Sequence, residues 1–125
     1  MPNEWVDDPT ILDPHLLLRR VHPKFWVPDK KVAGGYRAAS GAFEDDSDGH
    51  PMSVFLQEVL TSPRDCLVGH LGYRLVRFTA GFARGLHQRI AKDPDNGGPA
   101  HAVIVGLKTH AIRRQFAYGS EQVEA

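Results

Sequence analysis

The sequence predicts an α+β fold: one compact domain with a mainly antiparallel sheet and two or three short helices. Three observations carry this expectation. At 125 residues the chain has the ordinary length of one domain. It is 42% hydrophobic and 24% charged, apolar enough to build a core without cross-links. Its apolar segments follow the order strand, loop, helix, helix, strand, strand, strand, helix, which lacks the regular alternation of a doubly wound sheet.

Residues 1–14 contain Pro2, Pro9 and Pro14, the acids Glu4, Asp7, Asp8 and Asp13, and scattered apolar side chains. They read as an extended arm anchored by Trp5, and deletion of residues 1–9 is expected to cost little stability. The domain proper spans 15–119, and 120–125 read as a polar tail. Leu16, Leu17, Leu18 and Val21 form a short continuous apolar run ended by His22-Pro23, a buried strand. Segment 23–35 is a loop, punctuated by Pro28 and Gly34-Gly35, that packs Phe25 and Trp26 onto the core. Segment 36–43 is a second short strand or irregular. Segment 44–51 is an acidic surface loop.

Ser53 caps an expected helix through Leu60, with Leu56, Val59 and Leu60 on one face. Ser62-Pro63-Arg64-Asp65 signals a second helix ending by Gly72, since a serine cap, an N1 proline and an acid three residues on are helix-start chemistry. Segment 73–79 suits a strand, 80–85 a turn and 86–92 a strand. The turn formers of 93–99 then connect it to the β-rich run 101–107 as a hairpin. Thr109 caps the last helix, with Ile112 and Phe116 inward and Gly119 as its stop. Val76, Phe78, Val103, Val105, Ile112 and Phe116 are the expected core.

Cys66 is the sole cysteine, so the chain cannot form an internal disulfide and a reducing, cytoplasmic setting is expected. The acidic N-terminus is the opposite of a signal peptide's front end. No apolar run approaches the roughly 18 residues of a membrane-spanning helix. Fifteen basic and fifteen acidic residues cancel, yet residues 1–63 hold six basic and ten acidic side chains and residues 64–125 hold nine and five. Such asymmetry either offers the second half to an anionic partner or lets the halves attract each other. Arg84, Arg89, Lys92, Arg113 and Arg114 are the residues that could share a basic face; scattering and local pairing are favoured over it.

Familiar catalytic and metal motifs are missing. Glu44, Asp46, Asp48 and Gly49 imitate the opening of an EF-hand loop, but Phe55 stands where the bidentate glutamate is required. Cys66 and His70 share a helical face if that segment is helical, without evident further ligands. No phosphate-binding glycine loop, nucleophile elbow or His-Glu-x-x-His motif occurs. No metal and no cofactor is therefore expected. One constellation gathers polar residues at strand ends: Arg20, His22, Ser40, Ser53 and His101. Two histidines and an arginine are the minimal apparatus for acid and base catalysis on a phosphodiester, the arginine holding the phosphate. The aromatic residues of the first third sit beside acids and prolines rather than basic side chains, unlike a nucleic-acid reader.

Two functions are thus expected. The first is a small bacterial accessory domain that binds a protein partner through Trp5, Phe25, Trp26, Ser40, Ser53, Arg113 and Arg114, without a membrane; nucleic acid is the less favoured partner. The alternative is a metal-independent hydrolase or transferase acting on RNA or a nucleotide phosphate, with His22 and His101 as acid and base and Arg20 as the clamp. The two are separated by whether these three side chains converge on one cleft.

Overall fold

Alternation of apolar and polar side chains decides this fold, because each strand must present one face to a core. The computed structural model describes residues 5–46 and 49–124. Residues 1–4 of the arm, Asp48 of the acidic turn and the last residue of the tail lie outside these. The described residues form eight strands and two α-helices: β1 (Leu16–Val21), β2 (Trp26–Pro28), β3 (Tyr36–Ala38), β4 (Met52–Leu56), β5 (Arg74–Thr79), α1 (Ala80–Gly85), β6 (Arg89–Lys92), β7 (His101–Val105), α2 (His110–Gly119) and β8 (Glu121–Val123). Six strands form one antiparallel sheet in the order β6-β7-β4-β1-β5-β8, and β2 pairs with β3 apart from it. Segregated helices and an antiparallel sheet make this α+β, as the sequence predicts. No helix among the described residues is long and apolar enough to cross a membrane.

One face of the sheet carries Leu17, Val21, Met52, Val54, Leu56, Val76, Phe78, Ile90, Ala102 and Ile104, all buried. Onto it pack Phe43, Phe116, Ala80 and Ala83 from the helices and turns. The opposite face is partly covered, with Leu18, Leu75 and Cys66 forming a small cluster against Phe55, Leu60 and Leu67. Of the expected core, Val76, Phe78, Val103 and Phe116 are buried, while Val105 and Ile112 are half-buried at the margin.

Several local expectations give way to tertiary context. The segment expected to be a helix from Ser53 to Leu60 is β4 followed by a 3-10 turn at Gln57–Val59. Met52, Val54 and Leu56 are buried at period two, and that pattern beats the helical spacing of Leu56, Val59 and Leu60. The capping signal at Ser62 produces only a 3-10 turn, Pro63–Leu67, in which the Asp65 carboxylate accepts from the Ser62 amide at 3.1 Å. Gly69 and Gly72 have φ of 80° and 84°, a left-handed backbone that ends helical propagation. The expected turn 80–85 is α1, whose Thr79 hydroxyl accepts from the Phe82 amide at 3.0 Å. Residues of the expected polar tail supply β8, which pairs with β5.

Residues 5–13 run beside the edge strand β6. Asp8 donates its amide to the Ile90 carbonyl (2.8 Å), and the Asp7 carboxylate accepts from the Ile90 amide (2.9 Å). Arg84 binds Asp7, Asp13 and the Asp8 carbonyl together, and Ile11 is fully buried. An otherwise open sheet edge is thereby covered. Deletion of residues 1–9 is now expected to lower the melting temperature by several degrees. Each lost hydrogen bond is worth about 0.5–1.5 kcal/mol, and each kcal/mol shifts a chain of this size by about 4 °C. An unchanged melting temperature would show that the segment contributes nothing.

The charge asymmetry resolves internally. Acids of the first half pair with bases of the second: Asp7 and Asp13 with Arg84, Asp8 with Lys92, Glu44 with Arg113, and Asp45 with Lys108. Of the bases that could share a basic face, Arg84, Lys92 and Arg113 are paired in this way, Arg89 donates to the Trp5 carbonyl and Arg114 lies against the Tyr118 ring.

Candidate functional site

The ladder between β1 and β4 holds for two residue pairs, Leu17↔Leu56 and Leu18↔Phe55, and then stops. Beyond it the Ser53 carbonyl, which would have met a backbone amide, accepts from Nη1 of Arg19 at 2.8 Å. The same guanidinium donates twice to the Ala42 carbonyl. A side chain thus replaces backbone pairing, and a cleft of about 800 Å³ opens there. Its walls come from both faces of the sheet: Arg20, Ser53, Phe55, His70 and Tyr73 on one, Ala42, Lys108 and Arg113 on the other.

Most charges in the cleft are committed. Arg19, wrapped in carbonyls, has its pKa pulled down to about 10 by burial. Lys108 donates to the Ile104 and Gly106 carbonyls and pairs with Asp45 at 3.0 Å; burial lowers its pKa as well. Arg113 pairs with Glu44 at 3.1 Å. Arg20 differs. Its guanidinium lies 4.9 Å from the centre of the Phe55 ring and donates from Nη1 to the Cys66 carbonyl at 3.1 Å. Among the described residues no carboxylate pairs with it.

On the wall of this cleft Ser53 meets a buried relay. β4 and β7 pair with Phe55 opposite His101 and Ser53 opposite Val103, so His101 and Ser53 are diagonal neighbours on one face. His101 Nδ1 lies 2.8 Å from the Asp93 carbonyl oxygen, which can only accept. That nitrogen therefore carries the proton, and the lone pair of Nε2 faces Ser53 Oγ at 3.0 Å. The Asp93 carboxylate stands 3.4 Å from Nδ1, with side-chain exposures of 4% for His101 and 6% for Asp93. Asn96 donates to both Asp93 oxygens, and His50 Nε2 lies 3.1 Å from Oδ2. Serine hydroxyl, imidazole and buried carboxylate stand in the order of a nucleophile, its base and the group that orients the base.

The loop that supplies Asp93 is pressed on the imidazole. A Cβ on Gly97 would come within 2.6 Å of His101 Cγ, so only glycine lets the loop approach this closely.

No known protein family, curated protein or solved structure matches this chain. The site must be read from its own residues.

Of the residues the sequence singles out, Arg20, His22, Phe25, Ser53 and Arg113 line the same cleft. His101 stands behind Ser53 rather than in the cleft. His22 does not reach it as a ready base: its Nδ1 accepts from the Lys24 amide at 3.0 Å as the cap of a 3-10 turn, and its ring lies edge-on to Tyr73. The two histidines therefore do not form one acid and base pair. Trp26 lines a second cleft with Tyr36, Tyr73 and Arg74. Trp5 packs edge-on against His50, and Ser40 begins the 3-10 turn Ser40–Phe43. Arg114 lies 5.9 Å from the Tyr118 ring on α2. Trp5 thus packs at His50, while the neighbours Phe25 and Trp26 line two clefts that share Tyr73.

Sequence reasoning missed Asp93, Arg19 and the pairing of Ser53 with His101. Asp93 was covered by its turn-forming neighbours. Locally Ser53 has the chemistry of a helix cap, but the buried alternation of Met52, Val54 and Leu56 is the strand signal that puts Ser53 on the opposite face. Cys66 is buried, which pushes its thiol up to about 11, so it is a protonated thiol at neutral pH. Among the described residues no group of three or more His, Cys, Asp or Glu is placed to hold a metal.

Proposed function

We propose that this protein is a small hydrolase or transferase that works through a covalent intermediate on Ser53. One observation carries the reading: Ser53, in the wall of an open cleft, has its Oγ 3.0 Å from Nε2 of a buried histidine whose other nitrogen is held by Asp93. In the reaction, Ser53 Oγ attacks the carbonyl carbon of an ester while its proton passes to His101 Nε2. The tetrahedral intermediate collapses, the bond to the leaving oxygen breaks, and His101 returns the proton to that oxygen. Water, deprotonated by His101, then releases the acid and restores Ser53. Asp93 acts as a positioning residue, fixing the tautomer and favouring the imidazolium that forms in each half.

This reading takes the catalytic alternative of the sequence in modified form, with Ser53 and Asp93 joining His101 and with His22 left as a wall and cap. It is preferred to a protein-binding role because Ser53, His101 and Asp93 form one connected set of contacts, whereas Phe25 and Trp26 line different clefts.

An active-site-directed fluorophosphonate tests it without knowledge of the substrate. The reagent is expected to add once, at Ser53, located by peptide mass spectrometry, and the Ser53→Ala variant is expected to take up none. Absence of labelling in a folded wild-type protein, or labelling that persists in the variant, would overturn the proposal.

A further inference from the structure

Arg20 and Ser53 occupy matching positions across a gap. Past the pair Leu18↔Phe55, the next residues on the same face of β1 and β4 are Arg20 and Ser53, and the ladder has stopped before them. Both line the cleft. A group that enters the cleft at this end therefore meets both the Arg20 and the Ser53 side chains.

The guanidinium is poised for a ligand. Phe55 holds its plane from one side and the Cys66 carbonyl takes one N–H, so its direction is set before anything binds. Its Nε and Nη2 make no hydrogen bond with the described residues. The acids of the cleft are engaged elsewhere: Glu44 by Arg113, Asp45 by Lys108, and Asp46 by His50 at 3.5 Å. The cleft thus contains a half-buried, oriented cation without a counter-ion among the described residues, and burial already pulls the Arg20 pKa down. Two adjacent donors, Nε and Nη2, are thus left without a hydrogen bond to the described residues, and such a pair can bind an oxyanion with two parallel hydrogen bonds. His22, His70 and Tyr73 close the same end with edge-on rings, the His22 and His70 rings lying 5.1 and 5.0 Å from that of Tyr73.

We infer that the substrate is a small ester bearing an oxyanion, a carboxylate or phosphate, which Arg20 binds while Ser53 attacks the carbonyl. This deepens the reading of Ser53 as a nucleophile and rests on it for the chemistry, though not for the binding.

The test compares para-nitrophenyl hemisuccinate with para-nitrophenyl butyrate, two activated esters of similar length of which the first carries a carboxylate. For the wild-type protein at low salt, kcat/KM is expected to favour the hemisuccinate. In Arg20→Met that preference is expected to fall by about 10- to 100-fold, the value of charge-assisted hydrogen bonds. Arg20→Lys keeps the charge and part of the packing on Phe55, and is expected to retain an intermediate preference. A preference unchanged in both variants, or absent from the wild type, would overturn the inference. Binding to the Ser53→Ala protein, measured by calorimetry with succinate and phenyl phosphate, separates the two readings. Anion binding that Arg20→Met abolishes, in a protein whose Ser53 does not label, would keep the anion site and remove the nucleophile. Labelling of Ser53 without any anion binding would do the reverse. Succinate against phenyl phosphate distinguishes a carboxylate from a phosphate substrate.

Discussion

Replacing Phe116 with alanine is expected to destabilise the protein by about 3–5 kcal/mol, as for other fully buried aromatic side chains. The ring is fully buried on the inner face of α2. It stacks on Phe43 at a centroid separation of 5.6 Å and meets Phe78 and Phe82 at 5.0 and 5.8 Å. Truncation would empty the centre of a four-ring cluster whose members come from a 3-10 turn, β5 and both helices, so no single element can move to fill it. A loss of that size is a large share of the roughly 5–15 kcal/mol that holds a domain folded. Chemical denaturation followed by far-ultraviolet circular dichroism measures it directly, and a change below about 1 kcal/mol would mean that α2 does not pack as described. The effect also reaches the cleft, because Phe43 follows Ala42, the residue whose carbonyl accepts two hydrogen bonds from Arg19.

His101→Gln is expected to slow fluorophosphonate labelling of Ser53 by about 10²–10⁴-fold, the usual contribution of a positioned general base. Glutamine fills similar space and can still hydrogen-bond to Ser53 Oγ, but it cannot accept and return a proton at neutral pH. The fold is therefore expected to survive while the reactivity is lost. Gly97→Ala reaches the same imidazole from outside. Its φ of −173° is open to any residue, so backbone strain plays no part; the added methyl would instead overlap the His101 ring. Either the ring or the loop that carries Asp93 must shift, at a cost of about 1–3 kcal/mol in overpacking, and the distance from Nε2 to Ser53 grows. Slower labelling in both variants, with melting curves that remain cooperative, is the expected result. Labelling of His101→Gln at the wild-type rate would show that the Ser53–His101 bond only satisfies a buried histidine.

Particular residues show how far the sequence could be read. Thr109 signalled the start of α2, and its hydroxyl does accept from the Ile112 amide at 3.2 Å. The run Leu16 to Val21 signalled β1, and 101–107 signalled β7, because apolar β-branched runs bounded by proline and glycine leave few other solutions. Ser62-Pro63-Arg64-Asp65 carried an equally good helix signal, yet it yields only a 3-10 turn, since nothing beyond Leu67 supplies a buried face to reward a longer helix. Arg20, His22, Ser53 and His101 are named together by the sequence, but it pairs His101 with His22, whereas the hydrogen bond of His101 Nε2 is to Ser53 and His22 accepts from the Lys24 amide.

By itself, then, the sequence determined the elements whose own side chains carry enough apolar periodicity or capping chemistry to form them, together with the α+β class that follows from their order. The tertiary structure alone decided which residues meet. Local patterns specify a strand's faces but not its neighbours, and the register of β4 against β7 brings Ser53 to His101 across 48 positions of chain. It decided equally that β1 and β4 part after two pairs, and that Arg84, Lys92, Lys108 and Arg113 meet acids of the first half while Arg20 has no carboxylate partner among the described residues. Pairing, register and counter-ions are long-range contacts, selected by the total burial of the sheet rather than by any single segment.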